Sequence, residues 1–425
     1  MKLRLNTTIL KQFSLTTISS IIFSVIQILI QVYIVRSVAQ EDYGIFAFTF
    51  AIYNIFELMA TGYSSDFSMQ NIGKKSSECK LSELGKLFSD LIKHDLKVYT
   101  ITVVVCCIVG LFLIPLNNFN IEYWLILLFS LIFQTGYSAI KNTLISYNLI
   151  KEQSYYEIQT MFLMLLLNVL FTYFFGILGY VISMALYSLM KNILGLFILH
   201  KLNLVMSNIF SNLKGKTSVS KDGTFALYSI IRNSLTNFYN QLDIILIGVF
   251  FSNPSVIANY KVAKTLSGLP SKVVYPIWAA LRGRMVQAYY KGEFLRLRML
   301  VLKPMIYIFI SFLFIFFGSY FLSPYFIPKI YGVEYGSAIT LFLILLLGTL
   351  ILQLSNNWFN FWVIIANQNK PFIIIIIIQI FIIFIALLIF DLRESIIRFT
   401  YCIAFSYIVG GILQQCYFYK YKYLN

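Results

Sequence analysis

The chain has 425 residues, of which 59% are hydrophobic and only 12% charged, and it carries a formal net charge of +16. That balance is too apolar for a water-dissolved domain, and apolar runs long enough for a spanning helix, about 20 residues, recur from end to end. Lipid leaves a spanning backbone only helices or a closed barrel, and near-continuous apolar runs such as Phe372 to Phe390 lack the alternation of a barrel strand. The expected class is an all-α integral membrane protein.

In chain order, spans are expected at about 13–36, 43–65, 97–116, 122–141, 155–177 and 179–200. After a polar, basic stretch from Asn203 to Asp222, six more follow at about 223–250, 255–279, 303–323, 336–366, 371–390 and 396–418. The fifth and sixth are divided only by Gly176 and Gly179, and the eighth contains three lysines and Pro270. This gives a first lobe at 1–202, a cytoplasmic linker at 203–222 and a second lobe at 223–425.

Short loops rich in Lys and Arg stay cytoplasmic. With the amino terminus inside, 25 of the 33 Lys and Arg fall in cytoplasmic segments, including six lysines from Lys74 to Lys97, then Lys141, Lys151 and five from Lys191 to Lys221. Only Arg36, Lys329, Arg393 and Arg398 fall outside, and four cations lie within the membrane. Both termini are therefore expected in the cytoplasm, and the net charge reflects these loops and their attraction to anionic headgroups, not nucleic-acid binding. A cleaved signal peptide is the alternative for the first span, since Ser37, Val38 and Ala39 are small. The apolar region from Gln12 to Val35 is longer than a signal's roughly 7 to 15 residues. Cys79, Cys106, Cys107, Cys402 and Cys416 show no metal-ligand spacing and read as small packing residues.

The two sets of six spans read as a parallel repeat: VYIVRSVAQEDYGIFAFTF and LIGVFFSNPSVIANYKVAK each leave an odd span, turn outside and enter an aromatic-bearing helix. An offset of 214 pairs Gln27 with Gln241 and Phe46 with Tyr260. Transporters use such repeats to rock two lobes about a central site.

Four cations stand where lipid is expected: Arg232, Lys261, Lys264 and Lys272. A cation at mid-bilayer costs roughly 2.5–3.5 kcal/mol or more, so it persists where it meets water, a partner or an anionic ligand. Arg232, Thr236, Tyr239 and Asp243 fall within about 40° of one direction on the seventh span, and Lys261, Lys264, Gly268 and Lys272 share a face on the eighth. Two readings stay open: these groups line a wet cavity, or Lys261 and Lys272 snorkel to the interfaces while Arg232 pairs structurally. Uncharged stripes occupy other spans: Ser20, Ser24, Gln27 and Gln31; Asn54, Glu57 and Thr61; Gln134, Ser138 and Lys141; Gln353, Asn356, Asn357 and Asn360. Each alone reads first as hydrogen-bonded glue between helices. Glu57 and Asp243 are the only carboxylates expected well inside spans, as sites for a coupling proton or sodium ion or as counter-charges to lysine. Four cations against two carboxylates favour an anionic ligand over a cationic drug, and a pyrophosphate would suit lysines acting as compact point charges.

The stretch NQLDIILIGVFFSNPSVIANYKVAKTLSGLP resembles polysaccharide transporters of the MOP flippase superfamily, specifically O-antigen flippases of the Wzx type, and VAQEDYGIFAFTFAI is similar to that family's lead-in to its second span. The resemblance implies a V-shaped bundle of two six-helix lobes in the bacterial cytoplasmic membrane. It implies alternating access that carries an undecaprenyl-pyrophosphate-linked oligosaccharide to the outer leaflet. A polysaccharide polymerase and a chain-length regulator are then candidate partners, and Arg232, Lys261, Lys264 and Lys272 are the cationic positions that fit. Tyr239 and Tyr260 are candidates for stacking on sugar rings. No cofactor is expected beyond a coupling H+ or Na+, and no metal site or catalytic residue is assigned. The rivals are a multidrug exporter of the same superfamily and a membrane polymerase or lipid-linked glycosyltransferase. Short outside loops and the lack of an Asp-x-Asp or a phosphate-binding glycine-rich loop argue against an enzyme.

Overall fold

A computed structural model of the chain describes residues 22, 24–77, 81–146, 149–202, 223–365, 369–389 and 395–421. The expected linker at 203–222, Ser20 and Cys79 lie outside the described residues. Those described are helical throughout apart from short connections. The helices are α1 (Ser24–Ser37), α2 (Gln40–Ser77), α3 (Leu81–Leu113), α4 (Ile121–Phe133), α5 (Tyr137–Ser146), α6 (Ile150–Lys201) and α7 (Gly223–Phe250). They continue with α8 (Pro254–Ser267), α9 (Leu269–Tyr290), α10 (Phe294–Tyr331), α11 (Ala338–Ile365), α12 (Asn369–Ile389) and α13 (Ile396–Tyr421).

Seven of these are by themselves long and apolar enough to cross a membrane, and α4 with α5, bent by 42° at their junction, makes an eighth crossing. A straight α6 of 52 residues would run about 78 Å, more than twice the roughly 30 Å hydrocarbon core. It doubles back instead. At Gly176 the backbone takes φ 58 and ψ −139, a region that suits only glycine. Beyond it Ser183 Oγ donates to Asn168 Oδ1, and Tyr156 donates its hydroxyl to the Lys191 carbonyl at 2.9 Å, 35 residues on. The fifth and sixth spans are thus one helical hairpin. With α4–α5 and α8–α9 each counted as one pass, the twelve expected passes are accounted for. The eighth pass is jointed at Gly268, and Pro270 is tolerated because it falls in the first turn of α9, where its missing N–H breaks no bond.

The hairpin carries its own test. A Cβ at Gly179 would sit 1.9 Å from the Phe171 carbonyl oxygen, a main-chain clash that only parting the two arms relieves. At Gly176 open space is available and only the dihedral is strained, by about 1–3 kcal/mol for a side chain. Gly179→Ala is therefore expected to lower the detergent-solubilised protein's Tm more than Gly176→Ala does, with both below wild type.

Cα packing divides the chain into two compact units, Met1–Gln241 and Leu242–Asn425, which meet within α7. In the first, Ile72, Phe88, Leu91, Ile140, Tyr156 and Leu199 from α2, α3, α5 and α6 form a buried cluster. In the second, α11 packs most extensively on α13, and Gly348 lets the Ala404 backbone approach so closely that any Cβ would stand 2.8 Å from it. Small residues admit this contact where no hydrophobic effect drives helices together. Large apolar side chains such as Phe314, Tyr325 and Leu388 remain exposed, as the surface of a multi-pass membrane protein in lipid requires.

The third span is longer than expected. α3 is apolar enough to span from Leu87, ten residues before the predicted start, so Asp90 and Asp95 lie within it, both buried. Glu57 and Asp243 are therefore not the only deep carboxylates. Span prediction missed this because Asp90, Lys93 and Asp95 lower the averaged hydropathy of this stretch, although both carboxylates are buried.

Candidate functional site

In the second unit the site is built from the end of α7 and the start of α8. Phe251 to Asn253 reverse the chain, Asn253 caps α8 by accepting from the Ser255 N–H at 2.9 Å, and Pro254 takes the first helical position. This folds α8 back so that three side chains converge. Lys264 Nζ donates to Asp243 Oδ1 at 2.6 Å, and the Tyr260 hydroxyl donates to Asp243 Oδ2 at 2.8 Å. Asp243 Oδ1 also accepts from the Ile244 N–H at 2.8 Å. The carboxylate side chain is 3% exposed and that of Lys264 21%, so the carboxylate is the more deeply buried partner. Lys261, one turn earlier on α8, interacts electrostatically with both Lys264 and Asp243.

Desolvating two charges is expensive, and such a pair persists only when geometry is tight and the remaining lone pairs are satisfied. Both Asp243 oxygens meet that condition. The carboxylate thus orients the Lys264 ammonium, and Lys261 adds a second positive charge beside it.

The other predicted residues are placed as follows. Lys272 is half-buried on α9, beyond the Gly268 joint. Tyr260 is fully buried with its hydroxyl committed to Asp243, which makes it a support for the carboxylate and gives its ring no open face for a sugar. Arg232 and Tyr239 belong to the first unit. Arg232 is half-buried and its Nη2 donates to Asn233 Oδ1 at 3.4 Å, Thr236 Oγ1 bonds back to the Arg232 carbonyl at 2.7 Å, and Tyr239 is buried.

The first unit holds a second polar centre at the break between α4 and α5. A spanning helix that breaks exposes backbone groups that lipid cannot satisfy. Here side chains from two other helices, α3 and α6, satisfy them, and α2 supports those side chains. Asp95 Oδ2 of α3 accepts from the N–H of Gly136, whose φ of +88 sets the bend, at 3.3 Å. Ser64 of α2 donates to Asp95 Oδ1 at 2.5 Å. Asn192 of α6 donates to the carbonyls of Phe133 and Thr135. Gln134, at the break itself, donates to Glu57 Oε1 at 2.5 Å.

Glu57 also interacts electrostatically with Lys191, whose ammonium lies 4.1 Å from the centre of the Tyr137 ring and 5.4 Å from that of Tyr187. Lys191 is 8% exposed, so its grouping with the cytoplasmic lysines is corrected: it stands inside α6. Its position within the sixth expected apolar run was the signal available in the sequence. Asp95 had no comparable mark. Beside this centre Lys141 pairs with Glu157 at 3.7 Å.

The stripe on α11 is in part helix-to-helix glue: Asn356 meets Gln414 of α13, whereas Asn357 bonds to Gln353 of its own helix. Ser355 donates to Gln414 Oε1 at 2.9 Å, Gln414 Nε2 to Asn356 Oδ1 at 3.3 Å, and Asn357 Nδ2 to Gln353 Oε1 at 3.0 Å. The Asn360 side chain lies outside those described. Among the described residues no three or more His, Cys, Asp or Glu gather as a metal would require, and the four described cysteines are free.

Comparison with known proteins agrees with this architecture. The chain aligns at a TM-score of 0.65 and 15% identity with the inward-facing conformation of a multidrug resistance MATE family transporter of the MOP superfamily, covering 94% of this chain and 97% of that one. The outward-facing conformation of such a transporter aligns at 0.62 and 16%, covering 96% and 94%. A MOP superfamily transporter from Pyrococcus furiosus, described as having a binding pocket of reverse polarity that suggests a different function, aligns at 0.57 and 15%, again covering 96% and 94%. At these identities the likeness establishes the MOP transporter fold. Among curated proteins none matches the chain significantly. The profile of the family described as polysaccharide biosynthesis protein matches residues 9–287, about two thirds of the sequence, and the chain belongs to that family.

Proposed function

We propose that this protein is a flippase that carries an undecaprenyl-pyrophosphate-linked oligosaccharide repeat unit, such as that of an O-antigen, from the cytoplasmic to the outer leaflet of the bacterial cytoplasmic membrane. The supporting observation is the charge arrangement on α7–α8: Lys261 and Lys264 surround a single buried carboxylate, leaving a positive surplus that suits an anionic headgroup. Membership of a polysaccharide biosynthesis family and the MOP transporter fold fit the same reading. In it, the pyrophosphate is drawn to the positive charge of Lys264, with Lys261 and Lys272 of the same unit adding to the attraction, and Arg232 of the first unit stays a further cationic candidate. The glycan follows through the polar interior and the polyprenyl tail stays in lipid. Asp243 and Tyr260 position Lys264. Both termini are cytoplasmic in this reading, and a membrane polymerase with its chain-length regulator would consume the product outside.

The test is deletion of the gene in its own host, followed by extraction of lipid-linked intermediates after treatment with a membrane-impermeant sugar-modifying reagent. Complete repeat units that accumulate yet stay protected are the expected result. Incomplete units, or complete units accessible from outside, would point to a transferase or polymerase. An unchanged lipid pool would favour the multidrug exporter, whose cationic substrates call for acidic groups in place of these lysines.

A further inference from the structure

A transporter that moves cargo against a gradient commonly holds a coupling ion on a buried carboxylate, and Asp243 has the depth and burial for it. What surrounds Asp243 does not suit a metal ion. A hard cation needs several oxygen lone pairs directed at it. Here the hydrogens of three donors point at the carboxylate: the Lys264 ammonium and the Ile244 N–H at Oδ1, and the Tyr260 hydroxyl at Oδ2. Lys264 Nζ, 2.6 Å from Oδ1, already supplies a positive charge in direct contact with the carboxylate.

We infer that Lys264 is a tethered counter-cation that fills the place of a coupling sodium ion at Asp243, so that this site works without a metal ion. The first unit offers an independent parallel from unrelated residues. Glu57 there is served by the Gln134 amide at 2.5 Å and by the charge of Lys191, itself held over two tyrosine rings. Both carboxylates that the sequence marked as coupling candidates, Glu57 and Asp243, thus have a lysine of their own unit for a counter-charge. The consequence for transport rests on the proposed flippase reading: net export would draw its direction from consumption of the product outside, not from a sodium gradient. The site itself can be tested without any cargo.

The experiment measures thermal unfolding of the purified full-length protein in detergent, titrated with sodium chloride against choline chloride at equal ionic strength. Wild type, Lys264→Met, Asp243→Asn and the double variant are compared. Wild type is expected to unfold at the same temperature in both salts. Lys264→Met, which removes the tethered charge at similar volume, is expected to unfold at lower temperature in choline and to regain part of the loss as sodium rises. The double variant should lose that response. A saturable sodium-dependent rise in wild type that Asp243→Asn abolishes would overturn the inference, as would a folded Lys264→Met with no response to sodium. Should Lys264→Met fail to fold, radioactive sodium binding to wild type and Asp243→Asn decides. Binding that depends on Asp243 refutes the tethered-cation assignment, and its absence in both upholds it. None of these readings depends on the lipid-linked substrate, so failure of the flippase assignment would be seen separately in the gene-deletion assay.

Discussion

Replacing Lys264 by alanine is expected, under the proposed flippase reading, to abolish accumulation of exported polysaccharide in a deletion host complemented with the variant, and to destabilise the protein as well. Removing one member of a buried ion pair leaves the other charge uncompensated, at about 3–5 kcal/mol. Because the Lys264 side chain is 21% exposed, the lower end of that range applies, about 3 kcal/mol. The two effects separate in a double-mutant cycle. Asp243→Asn with Lys264→Ala removes both charges and is expected to recover most of the lost unfolding temperature without recovering transport, since the ammonium that would meet the pyrophosphate is still missing. If transport returned together with stability, Lys264 would serve the fold alone. Lys264→Arg should fold but transport poorly, because a planar guanidinium cannot keep the compact point-charge geometry that Asp243 and Tyr260 enforce.

The second large effect is expected at Asp95, which is 1% exposed and far along the chain from the helix break it serves. Asp95→Ala removes the acceptor for the Gly136 N–H and for Ser64 Oγ, leaving two polar groups unsatisfied in an apolar setting at about 1–3 kcal/mol each. The start of α5 also loses the negative charge that its dipole favours, worth about 0.3–2 kcal/mol. A total loss of about 2–8 kcal/mol follows, with a smaller one for Asp95→Asn, whose amide oxygen still accepts. Hydrogen exchange followed by mass spectrometry should show faster exchange confined at first to peptides covering 131–140. Unchanged exchange there, with normal expression and Tm, would mean that the break is held by Asn192 and Gln134 without the carboxylate.

Much of the architecture is a local property of the chain. Lipid is a uniform solvent that asks only whether about 20 successive residues are apolar and hydrogen-bond among themselves, so spans can be read from short windows. The reversal at Gly176 was legible for that reason, whereas the lysine face expected on the eighth span is divided by the Gly268 joint, which places Lys272 on α9. The cationic character of Lys261 and Lys264 needed no partner to be noticed, since a charge in an apolar run is anomalous on its own.

Pairing between helices is another matter, because periodicity gives the face of a helix but not the neighbour that meets it. Gln134 and Glu57 are 77 residues apart, and Asp95 reaches Gly136 across 41. Nothing in either local stretch states that α4 breaks, that α3 and α6 supply the groups the break requires or that α2 supports them. Averaged hydropathy also hid Asp95 and misplaced Lys191, whose charges are tolerated only because tertiary contacts satisfy them. Tyr260 shows the same divide: the sequence set an aromatic residue beside VAK, and only the return of α8 along α7 committed its hydroxyl to Asp243. The sequence by itself determined an all-helical, twelve-pass membrane protein with buried cations, through local hydropathy. The tertiary structure decided which carboxylate each cation answers, because ion pairing depends on distances of a few ångströms between helices that lie far apart in the chain.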